Sequence, residues 1–245
     1  MVYDQSLLVL TITQCPSGEK RGRTFYVDGY VRGTDGSRLY WVINPPVEVH
    51  LIRDGTETYI GGGGGNPDGT SHTACTIPTT YDEGVTVTLR VRLPAGTYWI
   101  DSDVRDSEFP LQDYVYEKTA TTDFVVKYDS SLTPPTVSIV GRESEGVVVR
   151  LSTRLTYTTT GSGIPNQTVY FYYRRSGETY TQLDNPKTTD SNGYVDSDTV
   201  TLSAGTYDFK AEYLGTLTVA DCSAETTNYT ITKMPTSLSL VVIVS

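Results

Sequence analysis

The segment that most constrains this chain is Leu93-Pro-Ala-Gly-Thr-Tyr-Trp99, which recurs in closely similar form as Leu202-Ser-Ala-Gly-Thr-Tyr-Asp208. Each copy follows a run in which apolar and polar residues alternate, as they do in a strand with one buried face. The Gly in each copy permits a tight turn, and the Tyr two residues later can pack inward while its hydroxyl binds nearby backbone. The pattern predicts one β-corner built twice, with the corner glycines 205 − 96 = 109 residues apart.

The composition indicates an all-β chain with room for two domains. The 245 residues include 19 Tyr but only two Met and five Phe. Thr is also abundant, and both Thr and Tyr favour strands. Apolar residues at helical spacing extend over no more than about one turn. A chain of this length can build two ordinary domains, each with its own hydrophobic core.

The second half of the chain repeats the strand order of the first, which predicts tandem domains. Thr226–Lys233 closely matches Thr121–Lys127, and each segment closes its half. The predicted organisation is a first domain at 1–130, a proline-containing linker at 131–135, a second domain at 136–233, and an orphan or donor strand at 235–245.

A run of glycines interrupts the first half. Gly61–Gly65 is followed by Asn66-Pro-Asp-Gly69. Five consecutive glycines lose more backbone entropy on ordering than other residues do. We therefore expect a long flexible loop inserted into the first domain.

Three motifs of the second half occur in a fixed order: Gly163-Ile-Pro-Asn166 before the third strand, Thr189-Asp-Ser-Asn-Gly-Tyr194 before the fifth, and Ala204-Gly-Thr-Tyr207 at the corner. This arrangement resembles the bacterial and archaeal immunoglobulin-like (Big-type) repeats of large surface proteins. The resemblance covers most of 134–233 and is weaker over 1–130. It implies two tandem immunoglobulin-like β-sandwich domains that act as extracellular spacers or adhesive stalk segments, usually without catalytic residues.

Charge and motif content exclude several classes of function. The net charge of −10 opposes binding to nucleic-acid phosphates, and the absence of an eighteen-residue apolar run predicts no membrane span. The only histidines are His50 and His72, and no catalytic or phosphate-binding motif is present. We expect a protein that is not an enzyme. His50 alternates with buried neighbours and is expected to be solvated.

One acidic segment is a candidate calcium site, and no other cofactor is expected. Its oxygen-bearing side chains are Asp190, Asn192, Asp196 and Asp198. The same residues also suit an ordinary tight turn, in which Asp and Asn bond their own backbone and Gly193 takes positive φ. The turn is the preferred interpretation.

Cysteine and asparagine residues offer candidate modification sites. Cys15 and Cys75 could form a disulfide, leaving Cys222 free or intermolecular; the alternative is three reduced thiols. Asn166 and Asn228 each begin an Asn-x-Thr glycosylation pattern.

Surface aromatic residues are candidates for stacking against a glycan, namely Tyr40, Trp41, Tyr170 and Tyr172. Strand alternation places Tyr170 and Tyr172 together on one face. Ordinary packing between neighbouring strands is the preferred interpretation of such a pair.

The last ten residues, 236–245, resemble the opening strand of another domain. Leu238, Leu240, Val242 and Val244 share one face. Burying each contributes about 1.5–3 kcal/mol, whereas ordering each residue costs about 1–2 kcal/mol, so this segment also needs hydrogen bonds from a sheet. We expect it to pair with an exposed sheet edge of another copy. The alternative is a chain that ends just past a domain boundary, with the segment packed along its own second domain.

The sequence thus predicts a structural subunit of an extracellular or cell-surface assembly, such as a filament, a pilus-like fibre or a surface layer. Its partners would be copies of itself, joined head-to-tail by strand addition. Two alternatives remain: an adhesin or stalk module that binds a surface glycan, and a viral shell or fibre protein.

Overall fold

The computed structural model describes residues 8–33, 39–41, 46–66, 68–102, 111–143, 145–183 and 185–232. These residues form strands, turns and loops and contain no helix, so none of them belongs to a helix that could cross a membrane. The chain divides into two compact units. The first comprises Met1–Tyr128 with Leu217–Val219, and the second comprises Asp129–Thr216 with Ala220–Ser245.

The first unit contains eleven strands among its described residues. They are β1 (Leu8–Gln14), β2 (Gly18–Lys20), β3 (Thr24–Gly33), β4 (Leu39–Trp41), β5 (Pro46–Arg53), β6 (Thr56–Gly64), β7 (Thr70–Thr76), β8 (Val85–Leu93), β9 (Gly96–Ser102), β10 (Leu111–Val115) and β11 (Lys118–Lys127).

One sheet of the first unit has the order β1-β3-β7-β6-β5-β8-β11-β2, and β7 is joined to β6 by the single pair Cys75–Gly61. This narrow join separates two groups of strands, β1-β3-β7 and β6-β5-β8-β11-β2, which enclose the core. Phe25 of β3 stacks on Phe124 of β11 with ring centroids 5.1 Å apart, so the two groups pack face to face. Strands β5 and β8 alternate buried Val or Leu with more exposed residues, as expected for sheets with one buried face.

At the predicted corner Leu93–Trp99 the structure describes the backbone. Strand β8 ends at Leu93 and pairs with β5 and β11. Gly96 then begins β9, which lies in a separate three-stranded sheet between β10 and β4, so the chain changes sheet at this segment. The side chain of Tyr98 lies outside the described residues, and its corner contact stays a prediction.

The prediction of a flexible glycine loop is also wrong, because Gly61–Gly64 form the end of β6. These residues pair with β5 along one edge, and Gly61 additionally pairs with Cys75 of β7. A Cβ on Gly61 would collide with the carbonyl oxygen of Ala74. Glycine is therefore required here for close approach of two backbones, and ladder hydrogen bonds offset its entropy cost.

The second unit contains nine strands among its described residues. They are β12 (Ser130–Leu132), β13 (Thr136–Arg142), β14 (Val147–Tyr157), β15 (Thr168–Arg175), β16 (Thr181–Gln182), β17 (Lys187–Thr188), β18 (Tyr194–Leu202), β19 (Gly205–Tyr213) and β20 (Cys222–Ile231). Ser131 and Leu132, which were expected in the linker, belong to β12 and pair with β14.

The second unit has the connectivity of an immunoglobulin-like sandwich. Strands β12, β13 and β18 flank β14 in one sheet, and β16, β15, β19 and β20 follow one another in the other. The core is filled by large side chains that are fully buried, including Leu151, Leu155, Phe171 and Phe209.

The corner predicted at Leu202–Asp208 is present in this unit. Tyr207 is 3% exposed at the start of β19, and its hydroxyl donates to the carbonyl oxygen of Ser203 at 3.1 Å. Such a Tyr at the crossing between sheets is the tyrosine corner of immunoglobulin-like domains. Both units are all-β, and the two-sandwich fold class follows from their strand order.

Candidate assembly edges and surface sites

Part of one strand edge in the first unit is unpaired. On one side, β11 pairs with β8 from Lys118 to Val126. On its other side, β2 pairs in parallel with Val125–Lys127 alone. Among the described residues, the seven positions from Lys118 to Phe124 therefore have no strand beside them. Unpaired N–H and C=O groups of this kind can bind an added strand. We call residues 118–124 the open edge.

A groove of about 470 Å³ lies beside the open edge, between residues 10–15 and residues 120–122. Ala120 and Thr122 pair with core residues of β8 and so face the inside of the sandwich, yet both are only half-buried. Ile12 borders the groove from β1 and is also partly buried. Leu10 of the hydrophobic core also lines the groove, so the groove borders the core at this residue.

The second unit has an edge strand of a different kind. Among the described residues, β20 pairs only with β19. The pairing register shifts between Tyr207 and Phe209, and Asn228 opposite has a φ of 57°. Such a bulge bends an edge strand and opposes the addition of another.

The carboxylate of Asp208 holds this bulge in place. One oxygen accepts a hydrogen bond from the backbone N–H of Asn228 at 2.9 Å, and the other accepts from Nε of Arg174 at 2.9 Å. The Asn228 hydrogen bond, with a further contribution from Arg174, keeps the pKa of Asp208 below its usual value. The local sequence gave no sign of this arrangement, because the three residues lie in three separate strands.

Tyr170 and Tyr172 lie on the outer face of β15, whereas Phe171 between them is fully buried. The ammonium group of Lys210 lies 5.4 Å from the ring centroid of Tyr172 and donates to Glu212 at 2.8 Å. Burial raises the pKa of Tyr172, and the nearby Glu212 carboxylate raises it further. This geometry resembles packing between strands, and glycan binding at these rings stays a prediction.

Two sets of predicted site residues have side chains outside the described part of the chain. Tyr40 and Trp41 lie in β4 and pair with Asp101 and Ile100 of β9 through the backbone. The proposed assembly strand, residues 236–245 with Leu238, Leu240, Val242 and Val244, lies wholly outside the described residues.

The acidic segment that was a calcium candidate contains a hydrogen-bonded turn. Oδ1 of Asp190 accepts from the backbone N–H groups of Asn192 and Tyr194, at 2.8 Å each. Asp198 forms an ion pair with Lys187 at 2.6 Å, and Asp196 is exposed on β18. Nowhere in the described ranges do three His, Cys, Asp or Glu side chains form a group suited to a metal ion.

Cys15 and Cys75 are not bonded to each other, so the candidate disulfide between them is absent from the structure. Each of these two thiols donates instead to a nearby backbone carbonyl, Cys15 to Pro16 at 3.3 Å and Cys75 to Thr73 at 3.6 Å. Burial raises the pKa of Cys15 to about 11 and that of Cys75 to about 12. Cys222 is half-buried at the start of β20.

Both glycosylation candidates are accessible. Asn166 and Asn228 are exposed, and both have positive φ, 56° and 57° respectively. Asn tolerates this conformation better than most residues. Exposure is what a modifying enzyme needs, and modification itself stays a prediction.

The expectation that His50 is solvated is wrong, because side chains of its own strand and of β6 lie against it. His50 is 8% exposed. Its Nε2 lies 3.2 Å from Oε2 of Glu48 and its Nδ1 lies 3.5 Å from Oε1 of Glu57. Arg92 donates to the same Glu48 oxygen through Nε at 2.9 Å and is the main cause of the lowered pKa of Glu48. Alternation placed His50 on the outer face but could not reveal this cover.

The fold defines the chain as tandem immunoglobulin-like domains. No family model and no curated protein matches the sequence. Among solved structures, it is similar to bovine butyrophilin, at 12% identity and a TM-score of 0.30, over 90% of this chain and 98% of that one. It is similar to the D0-D1 domain of intimin, at 13% identity and a TM-score of 0.26, over 89% and 98%.

A tetra-tandem repeat in the extending region of a large adhesion protein is similar at 14% identity and a TM-score of 0.29, over 90% of this chain and 48% of that one. Similarity at this level says nothing about a ligand or a partner. The resemblance to Big-type repeats therefore stays a prediction.

Proposed function

We propose that this chain is a structural module of an extracellular or cell-surface assembly, and that copies of it join by strand addition. In this proposal, residues 236–245 of one copy add to a sheet edge of the next. The contact is head-to-tail and does not close on itself, so repetition builds a filament.

The observation that carries the proposal is the open edge at residues 118–124. A sandwich normally covers or distorts long unpaired edges, because they template the binding of other strands. Here seven regular residues have no strand on the side away from β8 among those described, and a groove of about 470 Å³ adjoins them. The edge supplies hydrogen-bonding groups, and the 236–245 segment supplies four apolar side chains on one face.

The proposal is tested by altering residues 236–245. We expect the full chain to form species in sedimentation velocity whose size grows with concentration. A variant with Leu238→Glu and Leu240→Glu should sediment as a monomer, because each substitution places a charge in an apolar contact. Ser237→Glu with Ser239→Glu is the matched control, since it adds the same charge to the opposite face.

The circular dichroism spectrum and thermal midpoint of each variant report whether the units remain folded. Association of the Leu238→Glu, Leu240→Glu variant equal to that of the unaltered chain contradicts the proposal. So does a full chain that stays monomeric at every concentration.

A further inference from the structure

We infer that the groove beside β11 in the first unit is the receptor for residues 236–245 of a second copy, which pair with the open edge and insert their apolar side chains between β1 and β11. This inference rests on the proposed function and assigns the site at which the strand binds.

The edge already accepts a strand at one end. Strand β2 pairs in parallel with Val125–Lys127, and the N–H of Val125 donates to the carbonyl of Ser17 at 3.0 Å. On the N-terminal side of β2, the chain moves away from β11 and leads back to β1, which belongs to the other strand group. Strand β2 therefore covers only the last three residues of β11, and the open edge is the uncovered remainder of the same strand side.

The length and pattern of the proposed occupant fit the edge. The segment Leu238–Val244 and the open edge both contain seven residues. The inward positions Ala120 and Thr122 are small, and Ile12 faces them across the groove. An apolar face of Leu and Val fills the space that these residues leave, which is how a sandwich core is completed from both sheets.

Strand β20, an edge strand of the second unit, is less suited to this role. Strand β20 is bulged at Asn228, and the carboxylate of Asp208 fixes that bulge. Glu225 and other exposed polar side chains also lie along it. Bulges and charges are the features by which natural sheets protect an edge from pairing. The open edge of β11 has no register shift against β8.

Cys15 provides a native probe, because it lines the groove and has a free thiol. We would introduce Leu238→Cys, Leu240→Cys, Val242→Cys and Val244→Cys singly in the full chain and oxidise each with copper phenanthroline. A disulfide requires that the Cα atoms of its two cysteines lie within about 7 Å of each other. Testing four positions of the segment therefore identifies the one that lies opposite Cys15. We expect at least one variant to form linked dimers and longer ladders on a non-reducing gel, with mass spectrometry identifying Cys15 as the partner.

The controls separate the groove from other contacts. Cys15→Ser in the same background should abolish the ladder, and Ser239→Cys, on the opposite face of the segment, should give at least about tenfold less of it. Ala120→Leu fills the groove and should weaken association in sedimentation by about tenfold or more. Thr119→Leu, on the outer face of the same strand, should leave association unchanged.

The outcomes distinguish the two proposals. If association needs Leu238 and Leu240 but no variant links to Cys15, or if Ala120→Leu associates normally while folded, the groove is not the receptor and the proposed function stands. Linkage to Cys15 within a single chain overturns the inference, because the occupant is then the chain's own segment. If association does not depend on the segment at all, the proposed function itself fails.

Discussion

The backbone N–H of Asn228 donates to the carboxylate of Asp208 at 2.9 Å, and this hydrogen bond fixes a bulge in the last strand of the second unit. The bulge distorts the outer edge of β20, whereas the open edge of β11 in the first unit is regular. The difference matters for function, because only a regular edge can form an uninterrupted ladder with an added strand.

Asp208→Ala should destabilise the second unit by about 1–3 kcal/mol at pH 7, because Asn228 and Arg174 both lose their acceptor. Urea unfolding at equilibrium measures this loss. Asp196→Ala removes an exposed carboxylate of β18 and should change stability by less than about 0.5 kcal/mol. Equal effects of the two substitutions would mean that the bulge contact contributes nothing.

The contribution of Asp208 should depend on pH in a defined direction. Its pKa is lowered in the folded state, so the carboxylate stabilises the protein above its unfolded pKa of about 4. That stabilisation is lost as the pH falls through the lower folded pKa. The stability difference between the native chain and Asp208→Ala should therefore shrink between pH 5 and strongly acid solution, and a constant difference would contradict the assignment.

Tyr207→Phe should cost about 0.5–1.5 kcal/mol, because it removes the hydroxyl that binds the carbonyl of Ser203 and leaves the ring in place. Tyr194→Phe is the matched control. Tyr194 is 54% exposed, so its substitution should be close to neutral. Chemical denaturation of both variants measures the difference, and a Tyr207→Phe variant as stable as the control would show that the corner hydrogen bond is dispensable.

Gly61→Ala should destabilise the first unit by about 1–3 kcal/mol, because the added methyl group meets the backbone of Ala74 and Cys75. Gly63→Ala is an internal control from the same strand, since a Cβ there meets nothing within 4 Å. Thermal unfolding should show a lower midpoint for the first variant and an unchanged or higher one for the second. Similar midpoints for the two variants would contradict the close approach of β6 and β7 at Gly61 and would favour a flexible loop instead.

Cys75 is buried and Cys15 half-buried, so both thiols should react slowly with a reagent from solution in the folded protein. The pKa values of about 11 for Cys15 and about 12 for Cys75 leave little thiolate at pH 8. We expect iodoacetamide to label both residues slowly in buffer and rapidly in urea without any reductant, as followed by mass spectrometry. Protection that persists in urea until a reductant is added would show that the predicted disulfide exists in solution.

Much of the second unit could be predicted from its sequence. Strands β14, β15 and β18 alternate in polarity and end at turn residues, so local pattern is sufficient to locate them. The Tyr207 corner was also correct, because a buried strand end followed by Gly and Tyr already contains the elements of the motif. The turn at Asp190 was favoured over a metal site for the same reason, since its hydrogen bonds are local.

The first unit shows what local pattern leaves open. The Leu93–Trp99 segment repeats the residues of the Tyr207 corner, and the chain does pass there from β8 to a strand of another sheet, β9. Which strands flank β8, namely β5 and β11, depends on residues far away in the chain. The sequence of Gly61–Gly64 predicts a loop, because the entropy cost of ordering glycine is a local property. The strands β5 and β7, whose hydrogen bonds offset that cost, are formed by residues elsewhere in the chain.

Composition and a period of two are enough to predict that this chain is all-β and that its two halves form sandwiches, because both properties are local. Three features emerge only in the folded molecule: Lys118–Phe124 is an open edge, Asp208 holds the bulge in β20, and His50 is covered. Each of these depends on contacts between residues far apart in the chain, whose geometry is set by packing of whole sheets and has no local signal.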